Sequence, residues 1–302
     1  MTTWVKLLVL SACWGSTFMW IDLALDEGMS PWHVTWGWAA VASLVLLAAA
    51  PPRPAQWAGN GPRLLDLLIA ALLCNAGPFA FFSLGQQTVP SGVAGVLNAT
   101  TPIWTLMITA GLVPGSLGLR RVAGISIGFA GVVLLVEPWS SDLRPTVGVP
   151  LILLAAVGYA GGFVFMTRRL LPTAASPGEL AGLQMSAATV LLMVPALLAG
   201  APSRISLAGG GAVIVLGLVC TALTFAVVYR MLADDGATRT SVVGYLIPLV
   251  AVGLGVALRA EPLRWNSLAG AVVVLTGVAL TRAKPAARGG TLVHLAPDPE
   301  GH

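Results

Sequence analysis

Asp22 and His33 are the titratable side chains that could carry a proton through an otherwise apolar sequence. Each lies near the outer end of an apolar run, where an ordinary helix-end role competes with proton coupling. Deeper in the runs the polar groups are neutral: Asn75, Asn98, Thr100, Thr101, Gln184, Thr221 and Thr224. Amides and hydroxyls donate and accept hydrogen bonds, so they can solvate a small solute or join two helices. Asn75 and Asn98 are the stronger solute contacts, because a buried amide needs several partners. Gln86 and Gln87 read as loop-facing. Aromatic side chains inside the runs would add flat apolar walls: Trp14, Trp36, Trp38, Phe79, Phe82, Trp104, Tyr159, Phe163 and Tyr245. Phe79 and Phe82 are three apart and share a helix face. Pro102 and Pro248 each interrupt a run, as a static kink or as a hinge with a freed carbonyl.

Chemistry of this kind is solute binding, not bond breaking. The histidines are His33, His294 and His302, and no carboxylate pair lies deep in a run. Paired-acid, Ser–His and His-Glu-x-x-His catalysis therefore lack their parts, which disfavours a polytopic membrane enzyme. A channel would show a charged ring or a carbonyl filter, and neither is legible. Cys13, Cys74 and Cys220 lie in apolar runs without zinc spacing. They read as small packing residues, and neither metal nor cofactor is expected.

The elements that must position these residues follow from composition. Charged residues are 9% of the chain, against about 25% in a soluble domain. From Leu67 to Leu119 there is no Asp, Glu, Lys or Arg, a length that allows two helical crossings of about 20 residues each. Ten apolar segments are counted, near residues 5–25, 32–50, 65–86, 91–112, 121–137, 147–167, 180–199, 209–231, 238–258 and 265–282. The runs are continuous and do not alternate, which predicts helices and not barrel strands. Leu10-Ser11-Ala12-Cys13 has the look of a lipoprotein cleavage site, but only Leu7 to Ala12 separates it from Lys6. That is too short for a leader core, and the apolar run continues to Leu25, so the segment is expected to stay as a helix.

With a cytoplasmic N-terminus, Lys6, Arg53, Arg63, Arg120, Arg121, Arg168, Arg169, Arg230, Arg239, Arg282, Lys284 and Arg288 fall inside, and Arg144, Arg204, Arg259 and Arg264 outside. That excess predicts both termini in the cytoplasm. The net charge of +4 is scattered, an orientation signal and not a nucleic-acid surface.

A shift of 146 residues aligns the two halves. Cys74 falls on Cys220, Ala76 on Ala222, Phe79-Ala80 on Phe225-Ala226, Pro102 on Pro248, Gly124 on Gly270 and Gly131 on Gly277. Five helices per half is an odd number, so the second half must enter from the opposite face. The expected fold is an all-α membrane protein with ten transmembrane helices as two five-helix inverted-topology repeats, residues 1–142 and 143–283. Residues 284–302 are expected to be a disordered cytoplasmic tail.

Trp14-Gly15-Ser16-Thr17-Phe18, Ala237-Thr238-Arg239-Thr240-Ser241, Gly244-Tyr245-Leu246-Ile247-Pro248, Glu261-Pro262-Leu263 and the Gly270 to Gly277 spacing carry a family pattern. The chain resembles an EamA-type member of the drug/metabolite transporter superfamily over residues 5–283. Two commonly charged family positions differ: Trp38 stands where members often carry Arg, and Gly115 where the first repeat often carries Glu. The resemblance implies a cavity ringed by helices 1–4 and 6–9. It favours Trp14, Asn75, Phe79, Phe82, Asn98, Tyr159, Phe163 and Tyr245 as cavity residues, with Thr101 beside Asn98. It also implies export of amino acids or similar small metabolites across a bacterial inner membrane. A multidrug or lipophilic-cation exporter is the alternative, and a deep Glu or Asp would favour it. The expected partners are a small-molecule substrate and the lipid bilayer, with a homodimer kept in view and no nucleic acid.

Overall fold

A computed structural model of the chain describes residues 3–89, 91–112, 118–136, 147–200, 205–250 and 265–282. Gly115, the Arg259, Glu261 and Arg264 cluster, residues 251–258 of the ninth segment and the tail at 284–302 lie outside the described residues.

Helix occupies every apolar run so far as it is described, and there is no strand among the described residues. We label the segments α1 (Thr3–Asp26), α2 (Pro31–Ala49), α3 (Leu64–Gly85), α4 (Ser91–Asn98 and Thr101–Leu112) and α5 (Leu119–Val136). Then follow α6 (Gly148–Leu170), α7 (Pro177–Leu198), α8 (Leu207–Asp235), α9 (Ala237–Ser241 and 243–250) and α10 (Trp265–Arg282). Among the described residues, 7 helices are long and apolar enough to cross a membrane. Leu44, Leu72, Leu154, Val190 and Ile214 are left exposed on the flanks, as a lipid-facing surface requires.

Local chemistry sets the helix ends. Ser30 caps α2 and Ser206 caps α8, each accepting an N–H of the first turn. Ser176 and Glu179 form a reciprocal capping box on α7, with Pro177 in the first turn. Gly236, at φ 78°, ends α8 and opens α9 in a backbone region that glycine tolerates.

α3 and α8 each contain a π-helical turn, Leu72–Ala76 and Leu218–Ala222. Their bounds differ by the same 146 residues that align the sequence halves. Side-chain contacts recur at that offset. Trp38 Nε1 donates to Thr221 Oγ1, and Gln184 Nε2, at the equivalent place, donates to Asn75 Oδ1. Ser16 meets Cys220, and Gly162 backs onto Cys74.

α5 and α10 pack together through glycine. A Cβ added at Gly131 would lie 2.5 Å from Val274 N and 3.0 Å from Gly270 O, and one at Gly124 would lie 2.8 Å from Gly277 O. The backbones themselves are in contact, as small-residue helix pairs in membranes allow. Gly131→Leu is therefore expected to cost about 1–3 kcal/mol or more through overpacking. The check is the thermal unfolding midpoint in detergent, against Gly111→Leu, whose added Cβ would meet nothing within 4 Å. A fall in both variants to the same degree contradicts the assignment.

Several basic residues among those described make their contacts at one end. Lys6 pairs with Asp234 at 2.7 Å, and Arg169 with Asp66 at 3.3 Å. Arg53 N–H donates to Glu179 Oε1, Asn60 Nδ2 to Pro172 O, and Arg168 Nη2 to Leu112 O. These bonds tie the start of α1, α3 and α7 to the ends of α4, α6 and α8. At the opposite end Gln86 Nε2 donates to Phe18 O and to Asp22 Oδ1, at 3.0 and 2.6 Å. Ser91 also hydrogen-bonds Asp22. Gln86 is thus buried and not loop-facing, because the Asp22 carboxylate and a backbone carbonyl give its amide better partners than the turn does. Gln87 is exposed.

Candidate substrate cavity

A cavity lies between the two sets of polar ties. α1 supplies Trp14, Thr17 and Phe18, α2 supplies Trp38, α3 supplies Phe79 and Phe82, and α4 supplies Asn98 and Thr101. α6 supplies Tyr159 and Phe163, α8 supplies Cys220, Thr221 and Phe225, and α9 supplies Ser241, Val243, Gly244 and Ile247. The empty space among them is about 610 Å³, counting the part open to solvent, but only about 50 Å³ can hold the centre of a water molecule. That is room for a few waters and not for a solute with a ring.

Aromatic rings build the walls. Trp38 lies flat on Phe79, with ring centroids 3.6 Å apart and planes 5° from parallel. Phe18 meets Phe82 edge to face at 5.2 Å, and Phe82, Tyr159 and Phe163 follow at 6.1 Å intervals. Such pairs add about 0.5–1.5 kcal/mol each beyond their burial and hold the rings in fixed orientations. Trp38 Nε1 donates to Thr221 Oγ1 at 2.6 Å, and Trp14 Nε1 to Thr224 Oγ1 at 3.2 Å. Both indoles are therefore held by α8.

The polar content is small and neutral. Among the described residues, no Asp, Glu, Lys or Arg lines the cavity. Thr101 Oγ1 donates to Asn98 O at 2.7 Å. Asn98 Nδ2 and the Tyr159 hydroxyl have no hydrogen-bond partner among the described residues. Two directional polar groups thus remain for a solute in an aromatic box. α4 is broken between Asn98 and Thr101, and the segment that restarts there carries Pro102 in its first turn, where a missing N–H costs little.

The structure brings Trp14, Phe79, Phe82, Asn98, Thr101, Tyr159 and Phe163 together around one space. Asn75 and Tyr245 are placed elsewhere. Asn75 is fully buried behind the wall, accepting from Gln184 Nε2 at 2.6 Å, while Tyr229 OH donates to Gln184 Oε1. Asn75 Nδ2 has no partner there. Tyr245 OH donates to Ile125 O at 2.9 Å, and its ring covers Gly128, so it fastens α9 to α5. Pro248 lies in the 243–250 segment. Asp22 sits one turn beyond Phe18, held by Gln86 and Ser91. His33 Nδ1 pairs with Ser30 Oγ at 2.7 Å in the cap of α2. Trp38, Thr221, Phe18 and Phe225 also line the space. The 146-residue shift carried a signal for Thr221, since it places that residue on Asn75.

Residues 2–137 and 146–283 each match the model of the EamA-like transporter family. The protein named "Uncharacterized inner membrane transporter YedA" in Escherichia coli (strain K12) is 31% identical over 289 residues, covering 92% of this chain and 92% of that protein. The "Probable terminal-alkyne amino-acid exporter" of Streptantibioticus cattleyicolor is 28% identical over 276 residues, covering 88% and 89%. A solved structure described only as "Crystal structure of protein" superimposes with a TM-score of 0.70 over 92% of this chain and 96% of its own, at 19% identity, which shows a shared fold. The whole-length match to the family model and to a relative above 30% identity establish that the chain is a membrane transporter belonging to the EamA-like transporter family.

Proposed function

We propose that the protein is a secondary transporter of the bacterial cytoplasmic membrane that exports amino acids or similar small metabolites, aromatic ones above all, by alternating access. The observation that carries this reading is the charge-free aromatic cavity with Asn98 Nδ2 and the Tyr159 hydroxyl unpartnered among the described residues. Flat walls suit a ring or a bulky apolar side chain. An amide, a phenol and the start of the second α4 segment suit the polar end of a zwitterion, since a helix N-terminus favours a carboxylate. The relative named as an amino-acid exporter supports the same substrate class.

The arrangement behind it is ten crossings in two inverted repeats. The paired π-turns, the contacts that recur at one offset and the two separate family matches support it. Room for only a few waters fits a closed state that must widen to take a solute. The break before Pro102 and the equivalent Pro248 are the proposed hinges, and Asp22 is the proposed proton site. Both termini are read as cytoplasmic, a reading that the basic end supports.

Thermal unfolding of the purified protein with L-phenylalanine, L-tryptophan, glycine or tetraphenylphosphonium tests the substrate class. Saturable stabilisation by the two aromatic amino acids alone is expected. Stabilisation by the lipophilic cation alone would sink this reading, and among the described residues the lining holds no carboxylate to meet such a cation.

A further inference from the structure

A second cavity lies at the basic end, next to the first. It is lined by Arg121 of α5, Arg168 of α6 and Arg239 of α9, with the hydroxyl residues Thr167 and Thr238 and one carboxylate, Asp235. Its empty space is about 590 Å³, counting the part open to solvent, close to the 610 Å³ of the first, and about 220 Å³ of it can hold the centre of a water molecule. The two cavities share three helices. Thr101 and Thr109, Phe163 and Thr167, and Ser241 and Thr238 are lining pairs at most two turns apart. The second space thus lies at the basic end of the same three helices, where an antechamber to the first would sit.

Basic residues at the ends of membrane helices serve as orientation signals, but that role does not require three of them, from three helices, to meet around one space. Arg120 and Arg169 are exposed and line neither cavity. Among the described lining residues, three guanidinium groups stand against one carboxylate, and such an excess in a concave site focuses the field on an entering anion. The guanidinium fork matches a carboxylate with two parallel hydrogen bonds. Arg168 is also the residue that the 146-residue shift places on Asp22, so the two ends of the path carry opposite charge at equivalent positions.

We propose that this antechamber is a binding site for soluble carboxylates, which it collects at the basic end before they pass to the aromatic cavity. The proposal rests on the transport reading above. It adds a second, separate site, at the basic end, that holds the substrate's carboxylate before the aromatic cavity does.

The test is the rate of arginine modification by phenylglyoxal, resolved by peptide mass spectrometry on the full chain in detergent. Acetate is compared with chloride at equal ionic strength, and with dihexanoyl phosphatidylglycerol as a lipid-headgroup anion. Acetate is expected to slow modification of Arg121, Arg168 and Arg239 several-fold while Arg63 and Arg169 react unchanged. Arg168→Gln should raise the acetate concentration that half-protects Arg239 by about tenfold, the scale of one lost charge-assisted contact. Protection at every arginine alike, or at none, overturns the site, and protection by the lipid alone reassigns it to a headgroup. A variant with unchanged half-protection overturns it too, and if that variant misfolds the wild-type pattern still decides. Acetate has no ring for the aromatic cavity, so its binding reports on the antechamber alone. Amino-acid flux can then fail while acetate protection stands, and the reverse.

Discussion

Trp38→Ala is expected to abolish transport and to cost about 3–5 kcal/mol of stability. Trp38 is only 2% exposed. Its ring is the face against which Phe79 lies, and its Nε1 is the bond that holds α2 to the π-turn of α8 at Thr221. Alanine removes one wall of the cavity, frees Phe79 to turn and leaves Thr221 Oγ1 without its donor. Trp38→Phe separates the two contributions. It keeps a ring on Phe79 and loses the hydrogen bond, for about 1 kcal/mol. Substantial flux should survive, with a weaker apparent affinity. The measurements are the unfolding midpoint and the initial rate of uptake into vesicles. Wild-type flux in Trp38→Ala would remove the aromatic box from the mechanism.

Asp22→Asn is expected to leave exchange of labelled for unlabelled substrate intact and to remove any acceleration by a pH gradient. Asp22 accepts from Gln86 Nε2 and hydrogen-bonds Ser91, one turn beyond the cavity on α1. Protonation of the carboxylate weakens the acceptor that joins α1, α3 and α4 at that end, so a proton there can loosen the closure. Asparagine keeps the shape and an acceptor oxygen but cannot change charge. His33→Gln should keep its response to the gradient, because the imidazole of His33 belongs to the Ser30 cap of α2. Gradient-driven flux in Asp22→Asn would exclude Asp22 as the proton carrier.

The described helices were legible because their runs are continuously apolar, and several are bounded by Pro, Gly or a capping Ser. The face each helix turns inward was harder to read. A membrane helix meets lipid on one side and other helices on the other, and both surfaces are apolar, so the usual contrast between faces is weak. Phe79 and Phe82 line one space, as their shared face allows, and Trp14 and Tyr159 join them from the middles of α1 and α6. Asn75 was expected at the cavity for its chemistry. A π-turn adds a residue to the ladder and shifts the register of every later side chain, and Asn75 lies within one. Tyr245 carries the family motif yet spends its hydroxyl on the backbone of α5, a contact that depends on Gly128 leaving room. Trp38 was named among the aromatic residues but not among those the resemblance favours, and its stacking on Phe79 depends on two helices brought together only by the fold. The antechamber was hidden for a similar reason. Its arginines are far apart in the chain and read individually as orientation signals.

The most direct test of the central claim is flux in proteoliposomes. Purified protein would be sealed into vesicles, and uptake of labelled phenylalanine, tryptophan, glycine and tetraphenylphosphonium measured with and without a pH gradient. The account predicts saturable flux of the aromatic amino acids that is lost in Trp38→Ala. Absence of amino-acid flux under both conditions, with movement of the lipophilic cation, would contradict it.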